Sequence, residues 1–187
     1  MHPRKRLEAA SVQLLIVDLQ ERLMPVIPHR RTVEANSIRL ITASALLEIP
    51  QMATVQYPKG LGPMIGPVAS LLSSEPISKM TFSAIGPDPV KQWLDYNRTI
   101  VLIGIETHVC IAQTALDLLE MGLSVIIPTD AVAARKQADH DTALIRLTQA
   151  GAIPTTTEAL LFEWIATAGH RHFKAISTMV KEFDLEP

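Results

Sequence analysis

A single cysteine, Cys110, is all the thiol this chain has. No internal disulfide can form, and a reducing compartment is the expectation. Aromatic residues are scarce as well: four Phe, two Tyr and two Trp leave few rings on which bases could stack. Neither sign of charge dominates, since 17 Lys and Arg face 19 Asp and Glu for a formal net charge of −2, and the basic residues are scattered. Without a positive stripe, nucleic acid is not an expected partner. No apolar run approaches the roughly 20 residues that cross a bilayer, so no membrane partner is expected. Residues Met1 to Ala10 are polar and basic, unlike the apolar centre of a secretory signal. The cytoplasm is the expected compartment, and Arg4-Lys5-Arg6 followed by Ala and Ser leaves an organellar, mitochondrial address open.

What the chain does have is apolar bulk. Hydrophobic residues make up 48% and charged ones 19%, which excludes disorder. A length of 187 residues suits one domain, 1–187, with a core of ordinary size. The run Val12-Gln-Leu-Leu-Ile-Val reads as a strand buried on both faces and ends at a carboxylate, Asp18. From about Arg30 to Glu48 the apolar residues Val33, Ile38, Ile41, Ala45 and Leu46 keep a helical period, and Ile49-Pro50 stops it. Gln51 to Val55 reads as a second strand. Tyr57-Pro-Lys-Gly-Leu-Gly-Pro63 reads as a loop of restricted geometry, and the region to about Ser83, with Lys79, as a looser segment.

A short helix over Val90 to Tyr96 is expected after Pro87-Asp88-Pro89, then a strand over Thr99 to Ile103. The helix after Cys110 keeps Ala112, Ala115, Leu116, Leu119 and Met121 in period and stops at Gly122. Leu123 to Ile127 is a strand, Asp139 to Gly151 a helix, and Ala152 to Thr155 a strand. Helices starting at Thr157 and covering His172 to Phe183 close the chain. Strands alternating with helices require right-handed crossovers, and so an α/β fold: a three-layer α/β/α sandwich with a mainly parallel sheet. Ligands of such sheets bind beyond the carboxyl ends of the strands, where Asp18 and the Cys110 segment both lie.

Cys110 stands near the first turn of a helix. The free N–H groups and the dipole there favour a thiolate, while a lone cysteine with no other signal reads as a small buried hydrophobe. Asp18 alone suits a turn or cap, and Lys79 alone a solvated charge. Only together do they describe a site, with a proton acceptor, a cation and a nucleophile. His108 is too close in sequence to Cys110 for an in-line pair. His140, His170 and His172 fall in no recognisable motif, and the alternate residues of His170-Arg-His172 and Asp139-His-Asp141 face apart on a helix.

Three segments carry a resemblance that spans nearly the whole chain: Leu15-Ile-Val-Asp18-Leu-Gln20, Ser78-Lys-Met-Thr-Phe-Ser83 and Gly104-Ile-Glu-Thr-His-Val-Cys110. In order and spacing they resemble the motifs of the isochorismatase-like cysteine hydrolases, a superfamily that includes nicotinamidases. With Gln56 to Pro63, they most resemble the isochorismatase domain-containing proteins. The resemblance implies Cys110 as nucleophile, Asp18 as its base and Lys79 as the cation that orients the pair. It also implies backbone N–H groups of Glu106 and Cys110 as an oxyanion hole, and a cis peptide between Ile105 and Glu106. Gln20, Tyr57, Phe82 and Thr107, which lie in or beside these motifs, are the expected substrate-binding residues.

The chain also departs from its relatives. Nicotinamidases have an Asp-x-His-x-x-His metal site after the second strand, where this chain has Gln56-Tyr-Pro-Lys-Gly-Leu. No metal and no cofactor are therefore expected, and nicotinamide loses its anchoring cation. Isochorismatases proper cleave a vinyl ether without a thiol, so Cys110 favours acyl transfer. The resulting expectation is a hydrolase forming a thioester on a small amide or related acyl substrate. A binding or scaffold protein that keeps the fold is the alternative, and a nucleic-acid processing role is a weaker third. Relatives commonly assemble, so a homo-oligomer is expected.

Overall fold

The structure, a computed structural model, describes residues 6–183; Arg4 and Lys5 of the basic cluster lie outside them. Strands β1 (Val12–Val17), β2 (Gln51–Gln56), β3 (Ile77–Lys79), β4 (Thr99–Ile105), β5 (Val125–Pro128), β6 (Val132–Ala133) and β7 (Ile153–Thr155) form one sheet. Its order is β3-β2-β1-β4-β5-β7, with β6 also pairing β4, and every pairing is parallel. The helices are α1 (Arg30–Leu46), α2 (Pro58–Leu61), α3 (Gly66–Ala69), α4 (Asp88–Trp93), α5 (Ala112–Glu120), α6 (Gln137–Ala150), α7 (Thr157–Ile165) and α8 (Phe173–Phe183).

Side chains alternate across a strand, so the central strands feed two cores. Leu14 and Ile16 of β1 join Val101, Ile103 and Ile105 of β4 on one face, packed with Leu40 of α1, Leu160 and Trp164 of α7 and Ile176 of α8. Leu15 and Val17 join Ile100 and Leu102 on the other, with Val90 of α4, Ala115 and Leu118 of α5 and Leu147 of α6. These are the three layers. Each fully buried Leu or Ile contributes about 1.5–3 kcal/mol, which is why continuous apolar runs occupy the middle of the sheet. None of the helices among the described residues is long and apolar enough to cross a membrane.

Several boundaries differ from the expectation. The segment around Lys79 is not loose: Ile77–Lys79 forms an edge strand because Thr54, Val55 and Gln56 of β2 offer it partners. The Tyr57–Pro63 loop contains the single turn α2, started by Pro58 at its first position. Strand β6 is two residues long and falls below the reach of pattern reading. Helix α4 stops at Trp93 rather than Tyr96, and α6 begins at Gln137, two residues before Asp139. Between β4 and α5, Thr107–Ile111 forms a π-helical turn that holds Cys110, so the cysteine precedes α5 rather than opening it.

The sheet's centre needs a glycine at one point. Gly104, at φ 121°, lies so close to β1 that a Cβ would run into the Val17 carbonyl oxygen. Its absence lets β4 approach β1 where the Asp18 and Cys110 segments leave the sheet.

Candidate active site

Asp18 leaves β1 with φ 57°, a left-handed backbone that aspartate tolerates better than most residues. Its N–H donates to the Thr54 carbonyl at 3.1 Å. One carboxylate oxygen, Oδ1, accepts from the Thr54 hydroxyl at 3.1 Å, and Oδ2 accepts from Lys79 Nζ at 2.6 Å. Both side chains of this ion pair are wholly buried. The Cys110 thiol, 6% exposed, completes the group, close enough to feel the charges of both Asp18 and Lys79. Three residues, from the end of β1, from β3 and from the turn after β4, thus meet at the carboxyl edge of the sheet, where the sequence had placed Asp18 and Cys110 but not Lys79.

The electrostatics correct one expectation. A position near a helix start was expected to ease ionisation of Cys110, yet burial, followed by the nearby Asp18 charge, pushes the thiol up to about 12; Lys79 offsets only part of this. At neutral pH the resting sulfur is protonated. Burial also raises Asp18 above the ordinary carboxylate range, while Lys79, the thiol and Thr54 pull it back in part. The group is therefore a buried thiol beside a lysine-paired carboxyl, each with a raised pKa.

The Cys110 turn is braced from the α6 side. The Ile105–Glu106 peptide is cis. Glu106 accepts from the Arg135 N–H at 2.9 Å and from Arg135 Nε at 3.1 Å. The Thr107 hydroxyl pairs with His140 Nδ1 at 2.9 Å. His108 Nε2 stands 3.8 Å from Asp139 Oδ2, so His108 is engaged away from the thiol. Thr114 Oγ1 donates to the Cys110 carbonyl at 2.6 Å and accepts from the Ala84 N–H at 2.8 Å. A cavity of about 260 Å³ adjoins this turn through His140 and is lined also by His29, Thr32, Asp130 and Gln137. Asp18, Lys79 and Cys110 do not line it.

The four residues expected to touch substrate divide evenly. Tyr57 and Phe82 are exposed, at 46% and 53%, beside Lys79: the Tyr57 N–H donates to the Lys79 carbonyl, and the Phe82 carbonyl accepts from Lys79 Nζ. Tyr57 has φ 38°, and a Cβ on Gly60 would run into its ring. Gln20 and Thr107 instead have no exposed surface. Gln20 Oε1 accepts from the Gln56 N–H at 2.7 Å, and its Nε2 donates to the Gln56 and Gly62 carbonyls, so both amide hydrogens are committed within the protein. Both brace the site from beneath.

Residues 12–159 match the family description "Isochorismatase domain". The chain belongs to the isochorismatase family. Isochorismatase domain-containing protein 2 of Bos taurus is 40% identical over 95% of this chain and 86% of its own length. A solved structure of the Mar1 ribonuclease from Caenorhabditis elegans is 36% identical, covers 94% of this chain and 92% of its own, and has a TM-score of 0.89. The Escherichia coli YcaC structure, described as an octameric hydrolase of unknown specificity, is 21% identical with a TM-score of 0.84 and covers 98% of each chain. At that identity the likeness concerns the fold.

Sequence reasoning overlooked Thr54 and Gln56 as members of the site. They stand two apart on β2 and so share a face. Gln56 Oε1 accepts from Lys79 Nζ at 2.8 Å, and Thr54 holds the other end of the ion pair. Two polar residues at alternate positions near the carboxyl end of the strand were the available signal.

Proposed function

We propose that this isochorismatase-family chain is a hydrolase that cleaves a small amide or related acyl compound through a thioester on Cys110. The observation that carries this reading is a wholly buried carboxylate–ammonium pair, Asp18 and Lys79 at 2.6 Å, beside the nearly buried Cys110 thiol. Asp18 takes the thiol proton as the sulfur bonds to the substrate carbonyl carbon. Backbone N–H groups of Glu106 and Cys110 receive the oxyanion. Collapse of the tetrahedral species breaks the carbon–nitrogen bond, and Asp18 returns the proton to the leaving amine. Water then adds to the thioester, passes its proton through Asp18, and the acid departs as the thiol re-forms.

A protonated resting thiol fits this order, because proton transfer and attack are coupled and no free thiolate is stored. Turnover needs Asp18 ionised, so the rate should fall as pH drops through a value above the ordinary carboxylate range. The test is a panel of small amides with mass-spectrometric trapping of an acyl adduct. An adduct on Cys110, together with complete loss of turnover in Cys110→Ala, is the expected result. Full activity in that variant overturns the mechanism.

A second reading, ribonuclease action, is favoured by the likeness to the 36% identical nematode Mar1 ribonuclease. Against it stand the net charge of −2 and a site whose only buried cation is neutralised by Asp18. RNA cleavage by the purified chain that survives Cys110→Ala would replace the acyl-transfer reading.

A further inference from the structure

Gln56 ends β2 directly beside Lys79 in the β2–β3 register. Every polar group it has is engaged. Its backbone N–H and carbonyl are clamped by the two ends of the Gln20 amide, at 2.7 and 2.9 Å. Its side-chain Oε1 accepts from Lys79 Nζ at 2.8 Å, and Nε2 donates to the Met80 carbonyl at 3.0 Å. That orientation is fixed by chemistry, since the flipped amide would aim its N–H groups at an ammonium and its oxygen at a carbonyl.

Lys79 Nζ has three protons, and its acceptors are Asp18 Oδ2 at 2.6 Å, Gln56 Oε1 at 2.8 Å and the Phe82 carbonyl at 3.0 Å, with the Thr81 carbonyl at 3.3 Å. Asp18 is the one charged acceptor among them. Gln56 holds the ammonium from the opposite strand without bringing a second negative charge, so the lysine's charge stays committed to Asp18.

We propose that Gln56 is a positioning residue: it fixes Lys79 against Asp18, and its neutrality keeps Asp18 ionised for its work on the Cys110 proton. This rests on the reading of Asp18 and Cys110 given above. Two variants separate the parts of the claim. Gln56→Met keeps the volume and removes the acceptor; Gln56→Glu keeps the acceptor and adds a charge that competes with Asp18 for the lysine.

The experiment follows the rate of Cys110 alkylation by iodoacetamide against pH, read by intact mass, with Cys110→Ala as the blank. The wild type should show an acid limb that Asp18→Asn abolishes. In both Gln56 variants that limb should move to higher pH by about one unit, as carboxyl groups do when a cation's charge is withdrawn or shared. A residue that only fills space would lower the melting temperature in Gln56→Met and leave the limb in place. If Gln56→Met fails to fold, the isosteric Gln56→Glu decides alone. An unmoved limb in the folded variants overturns the role of Gln56 while leaving the acyl-transfer reading intact. A wild type with no Asp18-dependent limb overturns that reading and the role of Gln56 with it.

Discussion

Two carboxylates leave the carboxyl ends of neighbouring strands and flank the same cysteine, yet they live in different media. Asp18 meets Lys79 at 2.6 Å with both side chains sealed from water. Glu106 meets Arg135 at 3.1 Å with the glutamate 10% and the arginine 59% exposed. The first pair exchanges hydration for close contact, an unfavourable trade unless every partner is in place; the second is largely screened. The difference lies in how far each charge is felt by its neighbours. Dryness makes the Asp18 charge a strong influence on the adjacent thiol, whereas Glu106 spends its oxygens on an N–H and a guanidinium that hold the turn.

Breaking the dry pair should have the largest effect. Lys79→Met leaves a buried carboxylate without its cation and should lower stability at pH 7 by about 3–5 kcal/mol. The sign with pH follows from Asp18. Burial already raises its folded pKa, and losing Lys79 removes the first of the influences that lower it. A carboxyl whose folded pKa lies above its unfolded one penalises folding at pH above the folded value, and the penalty fades as pH falls through it. Urea unfolding at pH 7 and pH 5 should therefore show a smaller deficit at pH 5; an equal deficit would mean that Asp18 is not the group left exposed to the loss.

Glu106→Ala should cost less, about 1–3 kcal/mol, by leaving the partly buried Arg135 N–H without its acceptor. The same variant should slow Cys110 alkylation by loosening the turn, a readout independent of the unfolding curve. Arg135→Ala should be the mildest, at most about 1 kcal/mol, because the exposed guanidinium is screened and its own backbone bond to Glu106 survives. A loss as large as that of Lys79→Met would erase the contrast between the two pairs.

The sequence revealed the centre of this molecule better than its edges. β1 and β4 were readable because burial on both faces demands unbroken apolar runs, and their ends located Asp18 and the Cys110 turn. Lys79 was identified through its motif and not through its strand, since Ile-Ser-Lys is a strand only by virtue of its β2 neighbour. The thiol's behaviour was misread for a similar reason. A local argument sees the dipole of the following helix, while burial and the charge of Asp18, 92 positions earlier in the chain, outweigh it. Gln56 stood out only as a departure from a metal motif; that it grips Lys79 depends on the β2–β3 register.

An all-parallel sheet contains no hairpin, so each strand pairing joins segments separated by a crossover. Contacts of this kind close late and slowly compared with local ones. Asp18, Lys79 and Cys110 ride on β1, on the edge strand β3 and on the turn after β4, so no fragment of consecutive residues can assemble the trio early. During synthesis the sulfur remains an ordinary thiol until the sheet has closed around it, so the shifted titration of Cys110 is itself a reporter of completed folding.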